Sequence, residues 1–509
     1  MRVARIILAV GAIAMAFNSS GIGAESVHAG FLFDRHNLTL EPGERTEALG
    51  PFYYETKTDD ETIVAVPPFF SHTIKPDVEY EGYDILYPLL SFDRYGKEYR
   101  WHVGQLVSFA GGQNQSEVQR DRFTLFPVYF QQRSSDSNEN YTAVFPFYGH
   151  VRNRIFRSEM EFVMWPIYVK TVKRARASPL PDDEFTMPKY RYLSARRGEV
   201  TTHNFVYPFF HLRTGDGISG WQFWPIVGHE HKDITTKTND WGDLDTIPGY
   251  DKRFVIWPFY FKQELDIGSD NPESTVVVLP FYRRQSSPQR DSVSYGTPFG
   301  LTITDDRAQN YHEVDAPWPL IVFARGDKTV NRVFPFYSRA YNKSVENNSY
   351  LWPVYKFNGI HGDIIDRGRT RIGLFLYQHT QDNNLETGKH RSRTDLWPIF
   401  THRRSFDGNT RLQLLAPLES FLPTTPSIER NWSPLWTVWR SENNPNTGES
   451  SRSLFWNLYR RETSPTTRKG SLLFGLIQYE SSAETKRWRL FYLPLTKSQN
   501  RSEHVPEHR

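Results

Sequence analysis

One short apolar motif returns along nearly the whole chain and limits what the chain can fold into. It places an aromatic residue or leucine before a proline and ends on Tyr or Phe two residues after the proline. The copies are Phe145-Pro-Phe-Tyr148, Trp165-Pro-Ile-Tyr168, Tyr207-Pro-Phe-Phe210, Trp257-Pro-Phe-Tyr260, Leu279-Pro-Phe-Tyr282, Phe334-Pro-Phe-Tyr337, Trp352-Pro-Val-Tyr355 and Trp397-Pro-Ile-Phe400. From residue 49 onward such runs recur about every 20 residues, which predicts one repetitive fold rather than several unrelated domains.

We expect the motif to be structural rather than catalytic. The residues to which this prediction applies are Phe145, Pro146, Tyr148, Trp165, Pro166, Trp257, Pro258, Tyr260, Phe334, Pro335, Tyr337, Trp352, Pro353, Trp397 and Pro398. The runs are dense in Val, Ile, Phe, Tyr and Trp and are bounded by Gly, Asn, Asp and Ser, which is typical of β-strands.

The neighbourhood of Pro319 shows how consecutive runs are joined. Residues 318–325 lead through the polar stretch Gly326-Asp-Lys-Thr329 into residues 330–337. Two apolar runs separated by a short polar turn predict an antiparallel hairpin. Repetition of that hairpin predicts an all-β fold, an antiparallel up-and-down meander of about 20 strands.

A meander of this size has two edges, and closure into one large barrel is the direct way to remove them. One strand for about every 20 residues is also the rhythm of a large outer-membrane barrel. Residues 99–109 support this prediction, since Tyr99, Trp101, Val103 and Phe109 alternate onto one face of a single extended strand. The alternatives are a soluble propeller-like fold and an open repeat sheet.

Two features of the motif disagree with a plain water-filled barrel. Residues 253–262 are apolar on both faces when read as one strand, which is typical of strands buried on both sides. A proline in mid-strand also removes a ladder hydrogen bond. We therefore expect a barrel whose middle is filled with aromatic side chains or lined for an apolar solute.

The chain begins with features of an export signal. Arg2 and Arg5 precede an uncharged apolar stretch, and small residues follow up to Ala29. We predict a signal peptide over residues 1–29, an N-terminal extension over 30–48, a single repeat β-barrel domain over 49–495 and a disordered polar tail over 496–509. The chain contains no cysteine, which excludes disulfides and thiolate metal sites. The predicted location is the outer membrane, or otherwise the periplasm or the medium.

Few residues suggest chemistry. His229 and His231 share one face of a strand and are weak metal candidates, but a polar strand end explains them better. Asp240, Asp243 and Asp245 do not have the spacing of a calcium loop, so we favour a solvated loop. No phosphate loop, dinucleotide fingerprint or nucleophile elbow is present, and the formal net charge is only +3. We therefore predict no enzyme, no cofactor and no nucleic-acid partner.

The chain loosely resembles large bacterial outer-membrane β-barrel proteins and bacterial envelope proteins with Trp/Phe-Pro-x-Tyr strand repeats. The resemblance covers residues 49–495 and rests on the motif copies, the signal peptide and the aromatic content of 15%. One departure is that residues 490–495 are followed by a polar tail, whereas such barrels usually end on a strand with a terminal aromatic residue. The resemblance implies a fold and a location but no activity.

The expected function is therefore that of a non-enzymatic outer-membrane barrel with a channel, transport or structural role. Its expected partners are outer-membrane lipid or lipopolysaccharide, together with a small-molecule or apolar solute. Basic residues at the ends of the runs, such as Arg283-Arg284 and Arg460-Arg461, either meet lipid phosphates or keep the strands soluble. The alternative is a secreted or periplasmic soluble repeat protein that binds glycan or protein through exposed aromatics. Residues 171–202 and 228–253 are the long loops in which a site is expected.

Overall fold

A computed structural model describes residues 31–495 except 105, 114–118, 155–156, 175–198, 239–243, 298, 423–424 and 484. The predicted signal peptide and polar tail lie outside the described residues. So do Asp240 and Asp243 of the acidic loop and most of the loop at 171–202.

The described chain is almost entirely extended. Its strands, numbered in chain order, are β1 Phe33–Asn37, β2 Gly43–Ala48, β3 Tyr53–Thr58, β4 Thr62–Val66, β5 Phe70–Lys75, β6 Tyr80–Ile85, β7 Leu90–Tyr95, β8 Glu98–Val103, β9 Val107–Gly112, β10 Arg120–Leu125, β11 Tyr129–Ser134, β12 Tyr141–Val144, β13 Tyr148–Arg154, β14 Arg157–Val163, β15 Tyr168–Arg174, β16 Glu199–Phe205, β17 Phe210–Gly215, β18 Ile218–Phe223, β19 Val227–Lys232, β20 Thr235–Thr238, β21 Leu244–Ile247, β22 Gly249–Val255, β23 Tyr260–Ile267, β24 Glu273–Val278, β25 Tyr282–Ser286, β26 Arg290–Tyr295, β27 Leu301–Asp306, β28 Tyr311–Asp315, β29 Ile321–Arg325, β30 Thr329–Val333, β31 Tyr337–Tyr341, β32 Val345–Tyr350, β33 Tyr355–His361, β34 Ile365–Ile372, β35 Tyr377–Asn384, β36 His390–Leu396, β37 Phe400–Arg404, β38 Thr410–Leu414, β39 Trp439–Asn444, β40 Glu449–Leu454, β41 Tyr459–Thr463, β42 Thr467–Leu472, β43 Ile477–Ser482, β44 Lys486–Leu490 and β45 Leu493–Pro494.

Helical structure in the described chain is confined to short pieces. Two α-helices, α1 Pro426–Asn431 and α2 Ser433–Trp436, lie between β38 and β39. Single 3₁₀ turns occupy Gly50–Phe52, Pro76–Val78 and Ser137–Glu139.

Each strand pairs antiparallel with the next, so the sheet is one up-and-down meander of 43 described strands. The exception is the hairpin of β20 and β21, which stands apart while β19 pairs directly with β22. The all-β prediction is confirmed, and so is the hairpin at the predicted polar turn, formed by β29 and β30. No ladder among the described strands joins the first strand to the last, so the sheet itself is not closed.

The predicted number of about 20 strands is wrong because each motif is a turn between two strands, not the middle of one. In the copy at Pro353, for example, Tyr350 ends β32, residues 351–354 turn, and Tyr355 begins β33. The Val354 N–H donates to the Leu351 carbonyl at 2.8 Å. The Trp352–Pro353 bond is cis, which makes this a type VI turn. A proline in a turn removes no ladder hydrogen bond, so the predicted conflict disappears.

The same correction applies to the two stretches that we expected to be single strands. Residues 99–109 form β8 and β9 with a turn between them, although Trp101 and Phe109 do lie opposite each other on one face. Residues 253–262 are divided by the turn at 256–259, so they are not one strand that is apolar on both faces.

The sheet begins before the predicted start at residue 49. Residues 33–48, which we expected to form an extension, make β1 and β2 and pair with β3. Two further apolar runs of the same period, around Pro417 and Pro434, do not form strands. They lie in residues 415–438, the insertion between β38 and β39 that contains α1 and α2.

The two faces of the sheet differ. We call inner the face on which Asp84, Val277 and Arg411 lie, and outer the face on which Val278 and Tyr282 lie. Apolar burial is thin and confined to the inner face, in three small clusters around Ala143, Ala324 and Tyr250. Elsewhere the buried inner residues are mainly Ser, Thr, Asn and Asp. The molecule is therefore held together largely by its ladders and by polar contacts rather than by one hydrophobic core.

Candidate functional site

The two edges of the meander have opposite compositions. Apart from the separate β20–β21 hairpin, every connection after an even-numbered strand lies at one edge, and every connection after an odd-numbered strand lies at the other. All the motif copies fall after even-numbered strands, whereas the odd-numbered strands lead into polar turns such as 59–61, 342–344 and 464–466. We call the edge formed by the connections after even-numbered strands the apolar rim.

The rim is exposed rather than packed. Phe281 is 73% exposed, Phe336 is 63% exposed and Ile399 is 55% exposed. Isolated apolar side chains on a surface are ordinary, but a contiguous apolar strip is typical of a binding or membrane-contacting surface. The sequence predicted the residues of this strip but not their position at a single edge.

On the outer face, the apolar surface of the rim extends at least one residue further along most strands. The outer residues that flank each rim turn are paired across the sheet, as in Val278 with Tyr282 and Leu396 with Phe400. We call these residues the first row. On the inner face the positions next to the rim are frequently polar, for example Ser294 and Arg283. The sheet is thus amphipathic beside the rim, apolar on the outside and largely polar on the inside.

Side chains join the first strands of the sheet to the segment after β38 and to the turn after β40, although no ladder does. Asp84 of β6 accepts hydrogen bonds from Arg430 Nη2 at 3.1 Å and Asn431 Nδ2 at 3.0 Å, and both donors belong to α1. The Tyr54 hydroxyl donates to the Arg430 carbonyl at 2.9 Å. Asp84 and Asn431 are buried, so this contact is shielded from water.

A second contact between the ends is centred on Asn457, in the turn after β40. Its Nδ2 donates to Asp34 of β1 at 2.9 Å and to Glu47 of β2 at 2.6 Å. Arg460 of β41 donates to the Asn457 Oδ1 at 3.3 Å. We call these two contacts together the junction.

The insertion between β38 and β39 is anchored to the inner face by one buried carboxylate. Glu419 is 2% exposed and accepts hydrogen bonds from Gln413 Nε2 at 2.9 Å and Trp436 Nε1 at 3.1 Å. Arg393 of β36 donates to the Glu419 carbonyl. The insertion therefore connects β36 and β38 with β6 and crosses the inner side of the sheet beside the rim.

A charged cavity of about 120 Å³ lies inside the junction. Its lining includes His36, Arg45, Glu47, Arg411, Arg440 and Glu442. Burial by itself raises the pKa of Glu442, but Arg440 and Arg411 outweigh it and hold that pKa at about 2. Arg440, followed by burial, lowers the pKa of Arg411 to about 10.

Acid should therefore destabilise the fold around this cavity. Because the folded-state pKa of Glu442 is lowered from 4.5 to about 2, its contribution is complete above about pH 4.5 and is lost as the pH falls through about 2. A shift of this size corresponds to about 3 kcal/mol. We expect Glu442→Gln to be less stable near neutral pH and to lose that part of the acid dependence. Urea denaturation across this pH range measures it, and an unchanged pH profile in the variant would contradict the assignment.

The predicted metal candidates share one carboxylate partner. His229 Nε2 lies 2.8 Å from Asp251 Oδ2, and His231 Nδ1 lies 3.4 Å from the same oxygen. Arg253 also donates to Asp251, so the carboxylate is already neutralised. Burial raises the pKa of Asp251, but hydrogen bonds from Arg253 and His229 hold it at about 2. Within the described residues no group of three or more potential ligands is placed to hold a metal ion.

The described residues that flank the two predicted long loops lie at the polar edge of the sheet, away from the rim. Arg174 and Glu199, which flank residues 175–198, are paired across β15 and β16. The described residues of 228–253 include most of β19, the β20–β21 hairpin and most of β22. Among the described residues, no helix has the length and apolar character needed to cross a bilayer.

Sequence reasoning missed the junction, whose partners are far apart in the chain. Asp84 and Arg430 are separated by 346 positions, and neither stands in a repeated pattern. The only local signal for α1 is Pro426 in its first turn, after Thr425.

No protein-family model matches the chain, and no curated protein matches it. The argument for function therefore depends on the rim, the junction and the faces of the sheet.

Proposed function

We propose that this is a non-enzymatic protein of the cell envelope that seats its apolar rim in the lipid of a membrane, with the outer membrane as its location. The observation that carries the proposal is the exposed strip of aromatic and aliphatic turns along one edge, opposite an edge of polar turns. Trp and Tyr are enriched where proteins meet the membrane interface. The predicted signal peptide supports export.

The dimensions favour shallow insertion of the rim over strands that cross the bilayer. The longest strands, such as β34 and β35, have 8 residues, whereas a membrane-crossing strand needs about 9 to 11. Their central positions on the outer face are also polar, as Thr370 and His379 show. The apolar height is the turn plus the first row and, in strands such as β7 and β8, one further outer residue, Phe92 or Trp101. At about 3.3 Å per residue this is on the order of 10–15 Å. That height fits within one leaflet.

We further propose that the two ends of the sheet meet to form one large barrel, closed by the junction rather than by a ladder. The contacts of Asp84 with α1 and of Asn457 with β1 and β2 support this closure. The polar inner face suits a water-filled passage, so a channel or transport role follows if the lumen is open. With the insertion crossing the inner side, a structural envelope role is the other form of the proposal.

The second candidate is a soluble repeat protein that binds glycan or protein through exposed aromatic residues. The observation in its favour is the exposure of single rings such as Phe299 at 67% and Phe281 at 73%. Aromatic rings with one exposed face are common in such interfaces.

Vesicle flotation separates the two candidates. Purified, folded protein is mixed with phosphatidylcholine vesicles and centrifuged through a density gradient. The proposal predicts that the protein rises with the lipid, and protein that stays at the bottom while retaining its β circular-dichroism spectrum would support the soluble alternative. Conductance across a planar bilayer then tests whether the lumen is open.

A further inference from the structure

The row directly behind the first row on the outer face mixes aromatic residues, such as Phe92 and Trp101, with Arg and Lys. This second row lies two residues further along each strand from the rim, and it is continuous through the ladders from Arg35 to Trp488. Its basic residues other than Arg35 and the histidines are Lys170, Arg253, Lys262, Arg284, Arg339, Arg452 and Arg461. Among its described residues, Glu55 and Glu161 are the carboxylates.

The carboxylates of the outer face are concentrated one row further away. This third row contains Glu81, Glu159, Asp251, Glu264 and Asp291. The third row also holds Arg and Lys, such as Arg94 opposite Glu81 and Arg152 opposite Glu159, so its charges largely balance. In the second row the cations outnumber the carboxylates, so the excess positive charge of the outer face lies next to the apolar edge.

Part of the second row is not neutralised by the protein. Arg452 and Arg461 lie directly opposite each other on β40 and β41. Both side chains are exposed, as is that of Arg284, and none of the three forms an ion pair with a described carboxylate. Like charges directly opposite each other in a sheet are destabilising, so an external anion would relieve this pair.

The spacing matches the headgroup region of a membrane. Two residues of a strand span about 7 Å, which places the second row just above a rim and first row seated in the acyl chains. Arg and Lys can extend along apolar surface while their charged ends reach water or phosphate. Arginine binds phosphate in two-point geometry, and phosphate is the charge of bacterial anionic lipids.

We propose that the second row binds the phosphates of anionic lipid headgroups, and thereby gives the rim a preference for anionic membranes. This inference rests on the proposed insertion of the rim. The proposal also gives different roles to the two residues of each Arg-Arg pair. Arg284 and Arg461 face the lipid, whereas Arg283 and Arg460 lie on the inner face.

The test compares two triple variants on two kinds of vesicle. The first variant carries Arg284→Gln, Arg452→Gln and Arg461→Gln in the second row. The matched control carries Arg404→Gln, Arg468→Gln and Lys486→Gln, which remove the same charge from exposed third-row positions of the same face. Flotation is measured with pure phosphatidylcholine and with vesicles containing about one-third phosphatidylglycerol, a composition that gives each basic residue near the surface about a fivefold effect on binding.

We expect wild type to bind the anionic vesicles at least tenfold better than the neutral ones. The second-row variant should lose most of that preference while its binding to neutral vesicles is unchanged, and the control should keep it. Equal losses in both variants would mean that net charge alone acts and would overturn the inference. A wild type that binds both vesicles equally would also overturn it and leave rim insertion standing, whereas binding to neither vesicle would remove rim insertion itself.

Discussion

We expect a variant carrying Phe281→Glu, Phe336→Glu and Ile399→Glu to lose binding to neutral lipid vesicles by more than about a hundredfold. Burying an apolar side chain of this size contributes about 1.5–3 kcal/mol, and each replacement also places a charge where lipid would be. All three side chains are more than half exposed, so their replacement removes little packing from the folded sheet. Flotation at a series of lipid concentrations measures the effect.

The chain offers a closely matched control at its opposite edge. Val78, Ile364 and Leu385 are also more than half exposed, but they stand in connections after odd-numbered strands. Replacing these three residues by Glu adds the same charge and removes a similar apolar area. We expect that variant to bind vesicles as wild type does, and a loss equal to that of the rim variant would show that the edges are equivalent.

The second large effect is expected at the junction. Replacing Asp84 by Ala leaves the largely buried Arg430 guanidinium, 14% exposed, without its carboxylate, because Asp84 is the acid that pairs with it. Removing one partner of a buried ion pair costs about 3–5 kcal/mol. We therefore expect a loss of that size in the free energy of unfolding, measured by urea denaturation.

Asp407→Ala is the control for a generic loss of an ion pair. Its partner Lys389 lies 3.3 Å away and both side chains are more than half exposed, so the expected cost is below about 1 kcal/mol. If the two variants lose the same stability, the junction does not hold the ends together in the way the contacts indicate.

The junction variant should also separate the ends of the sheet. The Asn444 Nδ2 donates to the Thr39 carbonyl at 3.2 Å, so the neighbouring exposed residues Glu41 and Thr447 are close in the folded chain. The chain has no cysteine, so Glu41→Cys and Thr447→Cys can be labelled alone with a donor and an acceptor. We expect efficient energy transfer in this labelled protein and a clear decrease when Asp84→Ala is added.

The sequence predicted the class of the fold because its local signals are consistent. Gly326-Asp-Lys between two β-rich runs has ordinary turn chemistry, and the hairpin of β29 and β30 formed there as expected. Composition and period were therefore sufficient for an antiparallel meander.

The rim was harder to predict because its turns break the rule that connections are polar. Residues such as Trp352 and Val354 favour β-strands. Averaging composition along the sequence therefore merges two strands and the turn between them into one apolar run. Pro353 was the available clue, since a proline is excluded from the interior of a central strand. A strict alternation of polar and aromatic connections would have indicated two different edges.

The junction was beyond sequence reasoning for a different cause. Asp84 and Asn431 are an ordinary acid and amide in ordinary surroundings, and only the curvature of the whole sheet brings them together. The same holds for the second row, whose cations can be assigned to one row only when the register of each ladder is known.

The most direct test of rim insertion is the environment of one fluorescent label at each edge. Phe281→Cys at the rim and Leu385→Cys at the polar edge are each labelled with an environment-sensitive dye in the otherwise cysteine-free chain. On adding vesicles that carry a quencher in their acyl chains, we predict a blue shift and strong quenching for the label at position 281 and neither for the label at position 385. Equal responses at the two positions, or no response at either in folded protein, would contradict the account.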